Sequence, residues 1–359
     1  MSPPPQIKAI TVLAGGGAAL ATVAPPSPRD GYMVVRTTAV ALNPTDWKAA
    51  EGRFGGAKPT GCRLGCDYAG VVVVEPVGAT TEKSFRTGDR VAGFVHGANA
   101  GRAEDGAFAE YVAVKADLQI KIPDDVSDEE AATLGVGITT VGQGLYQSLG
   151  LPLPTAPATE PIPLLIYGGS TATGLLGIQF ARLSGCRVVT TCSPRNFEYV
   201  KSLGAEEAFD HADPACADRI REFTGGQLRH AWDCIASAET ARVCAAAMSA
   251  EGGGKYRSLL YVPDEVVKGV NPGASSGFTF AYTVFGEAFE KFRRFEAVEE
   301  DYEFGKMFWE LSRELLAAGK VKAARRDVNR GGKGLEGVLV GLKEMKENKV
   351  SGMKLVYTL

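Results

Sequence analysis

The chain has 359 residues, 45% of them hydrophobic and 23% charged, with a net charge of −3. That length allows two domains with a sizeable core, and so slight a charge gives no case for a nucleic acid or an anionic membrane as partner. No apolar run reaches the length of a membrane span, and the opening MSPPPQIKAI lacks the apolar core of a secretory signal and reads as a short disordered lead-in.

From residue 7 to about 125 the pattern is mostly β. Residues 34–42, 67–74 and 90–95 are β-rich runs separated by Gly, Pro and Asp, and Gly88-Asp89-Arg90-Val91 is a turn feeding a strand. Residues 107–114 and 118–122 continue the pattern. One short helix is expected over 44–51, entered from Asn43 with Pro44 at its first position. A longer helical stretch runs over 127–149, with Ser127 and Glu130 as a capping box. It contains Gly135, Gly137, Gly142 and Gly144, and each glycine inside a helix costs about 1 kcal/mol. A break is therefore expected near 135–139, with the backbone close to another group, a ligand being one candidate. Residues 151–163 form a Pro-rich connector.

Alternation of strands and helices begins at Leu164. The run Leu164-Leu165-Ile166-Tyr167 leads into the turn Gly168-Gly169-Ser170-Thr171-Ala172-Thr173-Gly174. A helical pattern follows with Leu175, Leu176, Ile178, Phe180 and Leu183, then a stop at Gly185 and a second run over 188–191. This is β–turn–α–β, the first unit of a dinucleotide-binding fold. Backbone N–H groups at the turn, helped by the helix dipole, suit a pyrophosphate. The glycines do not form a strict G-x-G-x-x-G, so an ordinary βαβ turn stays open. The second strand runs into Cys192, Ser193, Pro194, Arg195 and Asn196 with no carboxylate. A carboxylate there would select NAD through its ribose hydroxyl, whereas a hydroxyl, a guanidinium and an amide suit the 2′-phosphate of NADPH. The same residues also read as a helix N-cap, Ser193 capping and Pro194 at N1.

Helices are expected over 194–203, 213–223, 238–248, 302–318 and 335–348, and strands over 207–209, 228–235, 255–261 and 354–357. Residues 262–300 read as irregular, with Phe278, Phe280, Tyr282 and Phe285 spaced as a strand or an aromatic pocket wall would be. The fold class is α/β. Residues 1–160 with 300–359 are assigned to a β-rich substrate domain and 161–299 to the nucleotide-binding domain, the tail returning to the first. Seven scattered cysteines, odd in number and without a C-x-x-C pair, fit free buried thiols in a reducing cytoplasm.

This order of parts resembles the medium-chain dehydrogenase/reductase superfamily, in which a GroES-like β domain precedes a Rossmann doubly wound parallel sheet. AVALNPTDWKAAEG (39–52), LGCDYAGVVVVEPVG (64–78), TGDRVAGF (87–94), GAFAEYVAVKADLQIKIPDDVSDEEAATL (106–134) and YGGSTATG (167–174) carry the resemblance over nearly the whole chain. The three catalytic zinc ligands of zinc-dependent relatives correspond to Asn43, Cys66 and Val136, and residues 92–110 hold none of the four cysteines of the structural zinc lobe. One ligand of three cannot hold catalytic zinc, so the metal assignment is none. Without a Lewis acid, reduction of an activated C=C bond is favoured over alcohol dehydrogenase chemistry. Within this zinc-free branch the chain is similar to fungal trans-acting enoyl reductases, which serve highly reducing polyketide synthases, as in lovastatin biosynthesis. NPTDWK (43–48), LGLPLP (149–154), TCSPRNFEYVKSLGAEEAFD (191–210), LRHAWDCI (228–235), TVFGEAF (283–289) and VSGMKLV (350–356) carry that likeness.

The resemblance implies a cytoplasmic, monomeric enzyme that passes hydride from NADPH to a polyketide acyl thioester on an acyl carrier domain. Thr45, Asp46, Trp47 and Lys48 would approach the nicotinamide end. Ser170, Thr171, Ala172 and Thr173 would hold the pyrophosphate, and Ser193, Pro194, Arg195 and Asn196 the adenosine phosphate. His211 stands where the family has a Tyr near the adenosine; an imidazole can still stack or bind phosphate. Leu259, Leu260, Val350 and Ser351 would also sit at the cofactor. Val141, Gly142, Gln143, Gly144, Leu145, Tyr146, Gln147 and Ser148, with Ala281, Tyr282, Thr283, Val284 and Phe285, would line the acyl channel.

Lys48 and Thr140 are the catalytic candidates. The ammonium of Lys48 could position the cofactor or offset charge on a developing enolate; its plain alternative is an exposed helix lysine. Thr140 could bond the thioester or the cofactor, or simply pack its helix. Asp46 is read as a surface carboxylate ahead of a partner for Lys48. Tyr282 is read as a pocket wall ahead of an α-carbon proton donor, which leaves water as the proton source. Asp233 and Cys234 are read as structural, and His96 and His230 show no partner pattern. Lys320, Lys322, Arg325, Arg326 and Arg330 against Asp327 could steer an acidic carrier, or form a solvated segment. Two other functions stay open: a zeta-crystallin-type quinone or enone reductase acting on free molecules, and a non-catalytic NADPH-binding scaffold.

Overall fold

A computed structural model describes residues 3–55, 58–78 and 81–359; Met1 and Ser2 of the expected lead-in lie outside the described residues. Residues 1–139 with 282–359 form one unit and residues 140–281 a second, whereas the sequence placed the boundaries after 160 and 299. The shift has local causes. Lys255 Nζ donates to Leu149 O at 3.0 Å and Arg257 Nε to Ser148 O at 3.3 Å, which holds the segment before the connector in the second unit. Residues 282–295 join the first unit, where the Tyr282 hydroxyl is 3.0 Å from Thr45 Oγ1 and Lys115 bonds both Phe285 O and Glu287.

In the first unit, Ile7–Val12 (β1) pairs antiparallel with Ala18–Val23 (β2). Tyr32–Ala41 (β3), buried along almost its whole length, is followed by the helix Pro44–Ala50 (α1) and the strands Asp67–Val74 (β4), Arg90–Phe94 (β5), Tyr111–Lys115 (β6) and Gln119–Lys121 (β7). The expected run over 107–114 is a strand only from Tyr111, because the amides of Ala107 and Phe108 bond Gly65 O and Leu64 O in a loop crossing.

The helical stretch over 127–149 is three pieces: Asp128–Ala131 (α2), Gly135–Val141 (α3) and a π-helical turn, Gly142–Ser148. The capping box is as expected: Glu130 N donates to Ser127 Oγ at 3.2 Å, and Ser127 N to Glu130 Oε2 at 3.1 Å. The break falls at 132–134, just before the expected place. The groups these glycines approach belong to the protein. A Cβ on Gly135 would collide with the Asp67 carboxylate and Gly93 O, and one on Gly144 would lie 2.5 Å from Nε1 of the fully buried Trp232.

The second unit continues with Ile162–Tyr167 (β8), Ala172–Leu183 (α4), Cys186–Cys192 (β9), Phe197–Ser202 (α5), Glu207–Asp210 (β10), Cys216–Phe223 (α6), His230–Asp233 (β11), Ala238–Ala247 (α7), Lys255–Ser258 (β12), Asp264–Lys268 (α8) and Ser275–Phe278 (β13). The six strands are parallel in the order β10-β9-β8-β11-β12-β13. The order reverses between β8 and β11, and such sheets bind ligands at the carboxyl ends of the strands flanking that point. β13 and α8 fall in the segment that the sequence left irregular. Among the described residues no helix is long and apolar enough to cross a membrane.

The chain then returns to the first unit through Phe289–Glu290 (β14), Arg294–Phe295 (β15), Glu299–Ala317 (α9), Arg326–Val328 (β16), Gly334–Lys346 (α10) and Lys354–Thr358 (β17). β17 pairs antiparallel with β3, and β16 lies parallel on β17, so the tail extends the sheet of the first unit as expected. A buried ion pair secures it. Lys354 Nζ bonds the Asp67 carboxylate and donates to Thr133 O at 3.0 Å, while Val136 N donates to Asp67 Oδ1 at 2.6 Å. Lys354→Met should lower the unfolding free energy by about 3–5 kcal/mol, because it leaves a buried carboxylate unpaired. Urea unfolding at neutral pH measures this, and adding Asp67→Asn to the same variant should recover part of the loss.

Candidate active site

The second unit contributes the turn after β8. Gly168 has φ +82°, a left-handed conformation that suits glycine, and a Cβ on Gly169 would strike the Thr190 hydroxyl. Thr171 caps α4: its Oγ1 accepts from Gly174 N at 3.0 Å and donates to Gly168 O at 2.8 Å. Ser170, Ala172 and Thr173 stand half-buried around this helix N-terminus. At the end of β9, Ser193 has the backbone of an N-cap and Pro194 follows at N1, but the Ser193 hydroxyl does not bond the helix. It lies 3.3 Å from Nε2 of His211 instead, a correction to the capping reading. Arg195 beside it is exposed and Asn196 is buried. The nearby Asp210 turns its carboxylate to Ala212 N at 3.0 Å. The end of β9 thus gathers a hydroxyl, an imidazole and a guanidinium. Leu259 and Leu260 are half-buried beyond β12, where Ser258 Oγ donates to Leu260 O at 2.7 Å.

Thr140, Val141 and residues 142–146 are buried, Gln147 and Ser148 half-buried. The Tyr146 hydroxyl is 3.0 Å from Ser184 Oγ. Ala281 is buried at the end of this unit. Asp233 is structural, as expected: Oδ1 accepts from Ile235 N and Ala236 N, and Oδ2 from Thr240 Oγ1 at 2.6 Å and Tyr256 Oη at 2.9 Å.

In the first unit, Asn43 is the N-cap residue of α1, and Asp46 Oδ2 accepts from Asn43 N at 2.7 Å. Asp46 is 2% exposed, so it is neither a surface carboxylate nor an ion-pair partner of Lys48. Burial, opposed by the Asn43 amide, pushes its carboxyl up to about 7. Lys48 is half-buried beside Trp47, with its pKa lowered by burial, and forms no ion pair among the described residues. The Tyr282 hydroxyl lies 3.0 Å from Thr45 Oγ1 and 3.5 Å from Cys66 Sγ. Its ring lies tilted against His96, 4.4 Å between centres, and against Phe94 at 5.5 Å, and Lys291 Nζ sits 4.7 Å from the ring centre. Burial holds His96 well below the usual imidazole range and pushes Lys291 down to about 8. Neither residue was singled out as part of a site, because the contacts join distant segments with no shared spacing. Val284 and Phe285 are buried, and Thr283 bonds the Asp301 carboxylate. Val350 is half-buried and Ser351 exposed at the entry to β17.

The donor set does not fit zinc. At the three ligand positions, Asn43 holds α1, Cys66 faces the Tyr282 hydroxyl, and Val136 offers only its backbone N–H, which Asp67 takes. The basic segment is also less charged than its sequence suggests. Arg326 pairs with Glu130 at 3.1 Å, and Arg330 with Asp327 at 2.7 Å and with Glu344 at 3.5 Å.

A β-rich unit followed in the chain by a six-stranded parallel unit with a glycine turn at its switch point defines a medium-chain dehydrogenase/reductase. Residues 29–124 match the alcohol dehydrogenase GroES-like domain and residues 172–259 the zinc-binding dehydrogenase family. The chain is 47% identical to the trans-enoyl reductase resD of Aspergillus sclerotiorum over 98% of its own length and 99% of that protein. It is 54% identical to the trans-enoyl reductase TOXD of Cochliobolus carbonum over 74% of its length and 85% of that protein. Among solved structures, an alcohol dehydrogenase superfamily protein from Novosphingobium aromaticivorans superposes with a TM-score of 0.79 at 24% identity, covering 99% of each chain. The chain belongs to the trans-enoyl reductases, enzymes of the medium-chain dehydrogenase/reductase superfamily that use a nicotinamide cofactor.

The buried Asp46 makes stability depend on pH. Its folded pKa of about 7 lies above the ordinary 3.8. Between those values the folded chain keeps a proton that the unfolded chain releases, so stability falls as pH rises through that window. Asp46→Asn keeps an oxygen for Asn43 N without the charge. The variant should therefore gain stability relative to the parent at about pH 8, and the gain should shrink towards about pH 4. Thermal unfolding across that range measures the difference.

Proposed function

We propose that the protein passes hydride from NADPH to the β-carbon of an α,β-unsaturated polyketide thioester held on the acyl carrier domain of a highly reducing polyketide synthase, working as a cytoplasmic monomer. The observation that carries this reading is the membership of the whole chain in the trans-enoyl reductases. When bound, NADPH supplies the hydride; the conjugated carbonyl makes the β-carbon its acceptor. Ser170, Thr171, Ala172 and Thr173, at the N-terminus of α4, hold the pyrophosphate by backbone N–H groups and the helix dipole. Ser193, Arg195 and Asn196 hold the 2′-phosphate with His211 beside them, which supports NADPH over NADH. Thr45, Trp47 and Lys48 face the nicotinamide end, with Asp46 fixing their helix from inside. Leu259, Leu260, Val350 and Ser351 pack on the cofactor. Lys48 and Thr140 stabilise the negative charge that grows on the thioester oxygen, since preset donors gain most where charge develops. Residues 141–148 and 281–285 hold the acyl chain.

Arg195→Ala should weaken NADPH binding by about 10–100-fold, the worth of a charge-assisted contact, and leave NADH nearly unchanged; titration of cofactor fluorescence measures both constants. A carrier-bound enoyl thioester should turn over faster than the same acyl group on pantetheine. Equal rates on the two, with free enones or quinones faster than either, would favour the zeta-crystallin-type reductase.

A further inference from the structure

Reduction of a C=C bond needs a proton at the α-carbon as well as a hydride at the β-carbon, and the sequence left water as its source. One hydroxyl pair in the first unit is built differently from its surroundings. Thr45 and Tyr282, 237 residues apart, place their oxygens 3.0 Å from each other. Thr45 is half-buried on the first turn of α1, two and three residues from Trp47 and Lys48. Tyr282 is 4% exposed, so Thr45 is the member that a bound molecule can reach. Behind the pair, the Lys291 ammonium stands 4.7 Å from the centre of the Tyr282 ring, held there by donation to Ala98 O at 3.0 Å. A cation over an aromatic face is attracted to the ring, and more strongly once the phenol has lost its proton.

We propose that Thr45 and Tyr282 form a two-hydroxyl wire that delivers the α-proton, with Thr45 the catalytic residue at the substrate and Tyr282 the positioning residue that refills it. The wire rests on the enoyl reductase reading. Hydride addition at the β-carbon leaves an enolate thioester, whose electron pair forms the new α-C–H bond as the Thr45 O–H bond breaks. The Tyr282 proton passes to Thr45 Oγ1, so no alkoxide persists. The phenolate left on Tyr282 is stabilised by Lys291, and it regains a proton from water through Thr45 as product leaves. One proton enters from solvent per turnover, and nothing beyond the hydride step is oxidised or reduced.

Tyr282→Phe keeps the ring packed against His96 and Phe94 and removes only the hydroxyl. In D2O, with an unbranched enoyl pantetheine thioester, the wild type should place deuterium on one α-face only. Tyr282→Phe and Thr45→Val should give both faces, with kcat lowered by about 100–10,000-fold, the range for a lost general acid. Melting temperature should change little. Thr45→Ser should restore both the rate and the single face. Deuterium on a single face in both variants overturns the wire, whether or not the rate falls, because a merely packing hydroxyl would give that result. Should Tyr282→Phe fail to fold, the Thr45 pair of variants decides alone. A wild type that reduces no enoyl thioester overturns the enoyl reductase reading; a wild type that reduces it with deuterium on both faces overturns the wire alone.

Discussion

Asp67 and Lys354 are the first residues of two strands, 287 positions apart in the chain, and they meet where neither is open to water. Burying two charges is costly, and the attraction between them offsets the cost only when their remaining hydrogen-bonding capacity is also met. Here it is met by Thr133 O for the ammonium and Val136 N for the carboxylate. Thr133 lies in the break between α2 and α3 and Val136 in the first turn of α3, so one pair fixes the end of the chain, the start of β4 and the interruption of a helix together. It also specifies register. A slip of β17 by one residue on β3 would turn Lys354 to the opposite face, away from Asp67. With β17 placed, α10 follows. Its Gly341 lies so close to Tyr357 and Leu42 that a Cβ would clash, and Lys346 reaches Glu51 at 2.8 Å, just past α1. The helix that carries Thr45 and Lys48 is thus backed by α10.

The second unit was legible because its signals are local. A parallel strand buried on both faces is a continuous apolar run, and each strand-to-helix turn is marked by Gly, Ser or Asp within a few residues. The periodicity also found α9 and α10 to within three residues at each end. It missed α8 and β13, which are short and lie among Gly, Ser and Pro, and β14 to β16, at two or three residues each, which carry no period. In the 127–149 stretch the glycines signalled close approach correctly but not what is approached. Asp67 and the Trp232 indole come from distant segments, and spacing within one stretch holds no trace of them.

The same limit governs the site. The turn at 168–174 and the absence of a carboxylate after β9 are local and could be read. That the Ser193 hydroxyl turns away from its helix to His211 depends on β9 and β10 lying side by side, which a single strand pattern does not give. Asp46 looked like a surface residue because it follows Pro and Thr in a short polar helix. Its inward direction follows from the Asn43 amide, which needs an acceptor that the first turn of a helix otherwise lacks.

Asn43, Cys66 and Val136, which by the family resemblance correspond to the zinc-ligand positions of zinc-dependent relatives, show how a chain keeps this architecture with a different set of bonds. A metal there would join the start of α1, the start of β4 and the start of α3 by coordination. In this protein hydrogen bonds join the same segments to their surroundings. The Asn43 amide anchors Asp46, the Cys66 thiol stands 3.5 Å from the Tyr282 hydroxyl, and the Val136 amide closes on Asp67. Two of these contacts set a backbone N–H against a carboxylate, and the third sets a thiol beside a hydroxyl. Of the charged groups nearby, Asp67 is paired with Lys354, and Lys291 is held by carbonyls over an aromatic face. The consequence for chemistry is direct. On the proposed reading, hydroxyls and one partly buried ammonium would act on the substrate carbonyl and its α-carbon, and reduction of a conjugated double bond can use such groups.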